Sequence, residues 1–230
     1  MPLELHPLQE ADVDAYTEIM WQAFRPDVMG LMYPNGYTDA AREHSKAGTL
    51  KTWRKHPEKV KKLKVIDTAL PDDDPYGKIV GVSDWLFYPK ERTEAELAEE
   101  EAESKEGGFP PDSNHELLKA FFPIMTNAKK DHLGGKPHIR CHILVTHPHH
   151  HRRGAGAMQL RWGFEQADKL GVPVWLEASP IGRPLYEREG FETVGWLPFD
   201  ARDWGSEKEL RHALMIRQPK TADTVNGHVK

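Results

Sequence analysis

Within this 230-residue chain the stretch best suited to chemistry is Val145-Thr146-His147-Pro148-His149-His150-His151-Arg152-Arg153-Gly154-Ala155-Gly156-Ala157. An apolar run enters it, and Gly-Ala-Gly-Ala opens a segment with helical spacing. Small residues let a backbone come close to a ligand. The first turn of a helix holds N–H groups without intrahelical acceptors, and the helix dipole adds partial positive charge there. Such a turn binds anions, and Arg152 and Arg153 beside it suit a pyrophosphate. A second reading fits the same glycines, in which they only permit tight packing. Four histidines (His147, His149, His150 and His151) raise the question of a metal. A structural zinc site wants four ligands with supporting partners, and neighbouring histidines on a strand or loop point in different directions. No metal is expected. Cys141 reads as a buried strand residue, because no base stands beside it to activate a thiolate.

The elements that must position this loop follow from periodicity. His138 to Thr146 reads as a strand, Gly154 to Leu170 as a helix with Gly171 at its C-cap, and Val172 to Ala178 as a strand. Gly182 to Glu189 is a short helix, Gly190-Phe191 opens another strand, and Leu210 to Ile216 forms a last one. Upstream, Leu3 to Leu8 alternates as a strand, and Glu10 to Phe24 has helical spacing ended by Arg25-Pro26. Residues 27–37 read as an apolar loop, and Thr38 to His56 as a helix capped by Thr38. Lys61 to Thr68 and Lys78 to Tyr88 form a hairpin, in which Gly81 marks a bulge or a close backbone approach. Residues 89–114 are acidic and read as a solvated, flexible insertion. His115 to Leu133 is a helix interrupted near Pro123. Alternating strands and helices predict an α/β (α+β) domain over residues 1–218, with a polar tail at 219–230.

Composition narrows the class. Hydrophobic residues make up 38% and charged residues 29%, while seven Trp and eight Phe supply core material. A formal net charge of -5 argues against a general nucleic-acid binder. No apolar run is long enough for a membrane span, and Met1 to Glu10 lacks a secretory-signal pattern. With one cysteine there is no internal disulfide. A cytoplasmic, or cytoplasmic and nuclear, protein is expected, as a monomer or homodimer.

The loop and its flanks resemble the central motif of the GCN5-related N-acetyltransferase (GNAT) superfamily, Gln/Arg-x-x-Gly-x-Gly/Ala after a strand ending in a Val-x-x-Pro-like turn. Val145 and Pro148 hold the preceding positions, Gly154 and Gly156 hold the glycines, and His151 stands where the superfamily has Gln or Arg. A second motif follows in the order the superfamily requires. It comprises Val174-Trp175-Leu176-Glu177-Ala178-Ser179 and then Leu185-Tyr186-Glu187-Arg188-Glu189-Gly190-Phe191, similar to the superfamily's Leu-Tyr-Glu-x-x-Gly-Phe.

The resemblance implies a mixed, mostly antiparallel sheet flanked by helices and splayed between its fourth and fifth strands. It further implies transfer of acetyl from acetyl-CoA, as acyl-donor cosubstrate, to an amine by direct attack on the thioester. Tyr186 is then the general acid for the departing thiolate. Leu144, Val145 and Thr146 would pair with the pantetheine arm, with the Val145 amide polarising the thioester oxygen. His151, Arg152, Arg153, Gly154, Ala155, Gly156 and Ala157 would hold the phosphates. Ser179 takes the place of an Asn that usually precedes the tyrosine. For the base, His142 shares its offset before Gly154 with a catalytic histidine of the arylalkylamine N-acetyltransferases. Glu177 resembles the base of protein amino-terminal acetyltransferases, and solvent is the third option. Met29, Leu31, Met32, Tyr33, Tyr37 and Trp85 are candidate walls of an acceptor pocket, each of them equally readable as core. A small primary amine is the favoured acceptor. A protein amine, or a non-catalytic CoA-binding role, are the alternatives.

Overall fold

A computed structural model of the protein describes residues 2–220. Of the expected polar tail, residues 221–230 lie outside the described residues. The strands are β1 (Leu3–Pro7), β2 (Val60–Asp67), β3 (Ile79–Tyr88), β4 (His138–Thr146), β5 (Val174–Ala178), β6 (Glu192–Trp196) and β7 (Ala213–Arg217). They form one sheet in the order β1-β2-β3-β4-β5-β7-β6. Every neighbouring pair is antiparallel except β4 with β5. The helices are α1 (Val13–Phe24), α2 (Val28–Met32), α3 (Asp39–Lys55), α4 (Glu94–Ser104), α5 (His115–Leu133), α6 (Ala155–Leu170) and α7 (Arg183–Arg188). This is the mixed, mostly antiparallel α/β sheet the sequence implies.

Two apolar layers hold it. On one face, Leu160, Phe164 and Ala167 of α6 pack on Trp85, Ile139, Cys141, Val174 and Leu176. Gly163 matters there, because a Cβ on it would lie 2.2 Å from the Trp85 indole. Helix and strand therefore approach closely only with glycine at that position. Elsewhere Leu117, Leu118 and Phe121 of α5 pack with Trp175, Leu214 and Phe199. Gly81 shows both features expected of it. The β2–β3 register shifts between Val65 and Ile66, and a Cβ on Gly81 would meet the Val145 carbonyl at 3.0 Å.

Four local expectations are corrected. Residues 27–37 are not all loop: Asp27 accepts the Val28 N–H at 2.6 Å and starts α2. Pro123 does not interrupt α5, which runs unbroken past it. Burial of Leu117, Leu118, Phe121, Ala128 and Leu133 along one side offsets the lost backbone bond. The acidic segment contains α4, begun by a Thr93–Glu96 capping box. Ion pairs tie this helix to the body, Glu100 to Lys59 at 2.7 Å and Glu103 to Lys55 at 2.8 Å. Local capping and cross-chain charge pairing outweigh the self-repulsion that composition alone suggests. Finally, Trp85 is fully buried beneath α6, and Tyr33 and Tyr37 pack with Trp21 and Ala41. Those three aromatics are core, not pocket wall.

Candidate functional site

The site begins where the sheet opens. Parallel pairing of β4 with β5 is confined to Ile139 with Val174 and Arg140 with Trp175. Past Arg140 the two strands part, so residues 141–146 of β4 have a strand partner only on the β3 side. The β3–β4 register also shifts, with Asp84 opposite Ile143 and Trp85 opposite Cys141. His142 is the extra residue, a β-bulge at the mouth of the split. Bulges re-aim side chains and concentrate beside active sites.

At the end of β4 the chain turns tightly into α6. His147 N–H donates to the Val80 carbonyl at 2.9 Å, Pro148–His150 form a 3-10 turn, and His151 Nε2–H donates to the Thr146 carbonyl at 2.9 Å. Arg152 and Gly154 both adopt positive φ, 63° and 95°. The result is a row of amides, His151 through Ala157, none of which donates to an acceptor among the described residues. Gly154 supplies the left-handed turn. Gly156 lets α6 pack closely: a Cβ there would lie 2.9 Å from Leu185 Cδ2 and 3.6 Å from Leu144 Cδ2. Successive N–H donors at a helix N-terminus, with open space beside Gly154, are chemistry that a nucleotide's diphosphate would suit.

Arg153 is not the free cation its sequence position suggests. It bonds to Asp67 at 2.5 Å and donates from Nη1 to His150 Nδ1 at 2.9 Å. Asp67 is buried, and despite desolvation the Arg153 hydrogen bond helps hold its carboxyl below the ordinary carboxylate range. The pair therefore pins the loop to β2 and leaves Arg152 as the exposed guanidinium of the two.

Ser179 closes the turn that leads into α7. Its hydroxyl accepts the Gly182 N–H at 3.2 Å, and its carbonyl accepts the Arg183 N–H at 2.9 Å. Gly182 then passes close under the tyrosine ring, since a Cβ on it would lie 2.9 Å from Tyr186 Cε2. Tyr186 is buried edge-on against Phe191 at a centroid distance of 5.7 Å. Desolvation, with Cys141 nearby, pushes its phenol pKa up, so the proton is firmly held at neutral pH. The hydroxyl makes no hydrogen bond to any described residue.

On the other side of β4, His142 keeps 43% of its side chain open to solvent. Desolvation, followed by the charge on Arg140, lowers its pKa below the ordinary imidazole value. Its Nδ1 lies 3.8 Å from Asp84 Oδ2, and that same oxygen is 2.6 Å from Lys62 Nζ. Glu177 is differently placed. One oxygen accepts from Arg140 at 3.0 Å and the other from the Trp175 indole N–H at 2.9 Å. Although burial alone would raise its pKa, Arg140 brings it below the ordinary value. A carboxylate so engaged holds Arg140 across the last β4–β5 pair.

No family model matches the chain. A protein of Stachybotrys chartarum named "Acetyltransferase" is 26% identical over 117 residues, covering 51% of this chain and 50% of that protein. The chain thus matches about half the length of this curated relative. Among solved structures, arylalkylamine N-acetyltransferase 2 of Aedes aegypti is similar with a TM-score of 0.59 at 13% identity, over 96% of this chain and all of that one. The PaiA N-acetyltransferase of Thermoplasma acidophilum, solved with coenzyme A, is similar with a TM-score of 0.50 at 11% identity, over 95% of this chain and 99% of that one. The fold is the GNAT fold.

In this GNAT fold the structure brings Gly156 of the loop against Leu144 of β4 and Leu185 beside Tyr186, and places His142 with Asp84 at the β3–β4 bulge. Asp84 and Lys62 are functional candidates that the sequence reading passed over. The signal was present, as Asp84 is the single charged residue in the strand Ile79–Tyr88. Among the described residues, no group of three or more His, Cys, Asp or Glu side chains could hold a metal ion.

Proposed function

We propose that the protein is an acyl-CoA-dependent N-acyltransferase that moves acetyl from acetyl-CoA to a small primary amine. One observation carries this reading. Seven consecutive amides, His151 through Ala157, donate to no acceptor among the described residues, and Gly156 in the same turn packs against Leu144 of the half-paired β4 edge and Leu185, the neighbour of Tyr186. A diphosphate on the amides and an extended pantetheine beside residues 144–146 would bring a thioester near the bulge. Acetyl-CoA acts here as cosubstrate, supplying the activated acyl group.

The chain's own residues then have three tasks. His142 takes a proton from the attacking amine, and a backbone amide on the open edge of β4, at Leu144 rather than at Val145, whose N–H points to β3, stabilises negative charge on the carbonyl oxygen. Tyr186 gives its proton to the sulfur. Glu177, with both oxygens engaged, serves this reading as an anchor for Arg140 rather than as a base. The likeness to an arylalkylamine acetyltransferase supports a small-amine acceptor.

Calorimetry with acetyl-CoA, followed by thiol-release assays over a panel of amines, tests the proposal. Saturable binding and amine-dependent thiol release are expected. No association with acetyl-CoA or CoA rejects the transferase reading, and binding without release for any amine reduces it to a CoA-binding role.

A pH profile tests the base. His142 accepts a proton only when neutral, and its pKa lies below the ordinary value. Activity therefore falls as pH drops through a limb placed below about 6.5 and stays level through neutrality. His142→Ala removes that limb and lowers kcat/KM by roughly 10²-fold. An unaltered profile removes His142 from the mechanism.

A further inference from the structure

We infer that Asp84 is a positioning residue for His142, orienting its imidazole so that Nε2 faces the acceptor amine; this rests on the acyltransfer reading above. Asp84 sits in the middle of β3 and is 6% exposed, and Lys62 from β2 is equally buried. Lys62 Nζ bonds to Asp84 Oδ2 at 2.6 Å and also lies 4.8 Å from the centroid of the Tyr16 ring. The carboxylate is thus held from one side. Its other oxygen, Oδ1, is buried and has no hydrogen-bond partner among the described residues. Native proteins leave few buried acceptors unpaired, since each costs free energy, so this carboxylate is short of a donor.

The ring nitrogen that approaches this carboxylate is His142 Nδ1, which lies nearest Oδ2, the oxygen Lys62 holds, so a small ring rotation is needed for it to serve Oδ1. The bulge places His142 as the additional residue of β4 opposite the Asp84–Trp85 step, with Nδ1 3.8 Å from Asp84 Oδ2. Catalytic hydrogen bonds are often long without substrate and shorten once it is bound. The charged groups facing His142 are Arg140 on its own strand, Asp84 on β3, Lys62 on β2 and Glu177 on β5. Of the two carboxylates, Glu177 has both oxygens taken by Arg140 and Trp175. Asp84 alone has one to spare. An Nδ1–H aimed at Asp84 leaves the Nε2 lone pair free. When the amine's proton arrives on Nε2, the resulting imidazolium faces the Asp84 carboxylate, while the amine nitrogen keeps its electron pair for the carbonyl carbon. The hydrogen bond on one ring nitrogen sets the tautomer of the other.

The test reads the tautomer directly. Long-range proton–nitrogen correlation spectra are recorded on the full chain labelled with [15N]histidine, with the His142 signals assigned by their loss in His142→Gln. The unmodified protein is expected to show His142 as the Nδ1–H form. Asp84→Asn strands the Lys62 charge and risks unfolding, so the comparison is Lys62→Met with Asp84→Asn, which removes both charges of the pair. In that double variant the Nε2–H form should gain, kcat/KM should fall by about tenfold to a hundredfold, and the KM for acetyl-CoA should stay within about twofold. The acid limb should also move to lower pH, because Asp84 favours the protonated ring. Asp84→Glu should restore part of the rate and the Nδ1–H form. An Nε2–H tautomer in the unmodified protein overturns the inference, as does a tautomer unchanged in the double variant. Neither readout needs turnover, so failure of the acyltransfer reading, seen as absent acetyl-CoA binding, remains distinguishable from failure of this one.

Discussion

Tyr186→Phe is expected to lower turnover by about 10²- to 10³-fold while leaving the CoA dissociation constant within about twofold. The ring is what packs. It lies against Phe191 and over Gly182, and phenylalanine preserves both contacts. The hydroxyl bonds to no described residue, so its removal leaves no partner unsatisfied and folding stability should change little. What the variant loses is a proton beside the split. A phenol whose pKa is pushed up by burial keeps that proton through neutral pH, and a departing thiolate needs one. Steady-state kinetics with acetyl-CoA and an active amine, together with calorimetry on the same preparation, separate the two effects. Turnover equal to that of the unmodified protein would exclude Tyr186 as the acid. A parallel loss of CoA affinity would instead mark it as a binding residue.

Gly156→Val should raise the CoA dissociation constant by at least about tenfold with only a modest loss of thermal stability. The first added carbon would already approach Leu185 Cδ2 at 2.9 Å and Leu144 Cδ2 at 3.6 Å. Leu185 can swing aside, since the contact is at the far end of a flexible side chain. The branch atoms of valine then press on Leu144 of β4 and Leu185 of α7 and shift the first turn of α6, whose amides the proposal assigns to the phosphates. Gly156 is the second residue of α6 and has no positive φ, so valine incurs no left-handed backbone strain. Isothermal titration with CoA beside a thermal melt makes the check. Unchanged affinity would place the ligand away from this turn and would undercut its amides as a phosphate site.

Much of this molecule was legible from periodicity and punctuation. The bounds of β4, the left-handed Gly171 ending α6 and the Thr38 cap of α3 all follow from short-range rules, because caps and strand alternation depend on neighbours in the chain. The amides of residues 151–157 were legible for the same reason, since a glycine-bearing turn into a helix exposes donors whatever packs around it.

Other features are decided by residues far apart in the chain. Arg153 looks like a free phosphate ligand until β2 brings Asp67 to it, and Glu177 looks unpaired until folding brings Arg140 to one of its oxygens. Trp85 looks like a pocket wall until α6 seats Gly163 upon it. α4 forms in a segment whose charge suggested solvated coil, because lysines of α3 and of the β2 approach meet its glutamates. The sequence by itself determined the loop, its glycines and the order of elements around it. Only the tertiary structure decided which charges remain available, because a buried charge is set by the partner that folding delivers, and sequence spacing carries no record of that partner.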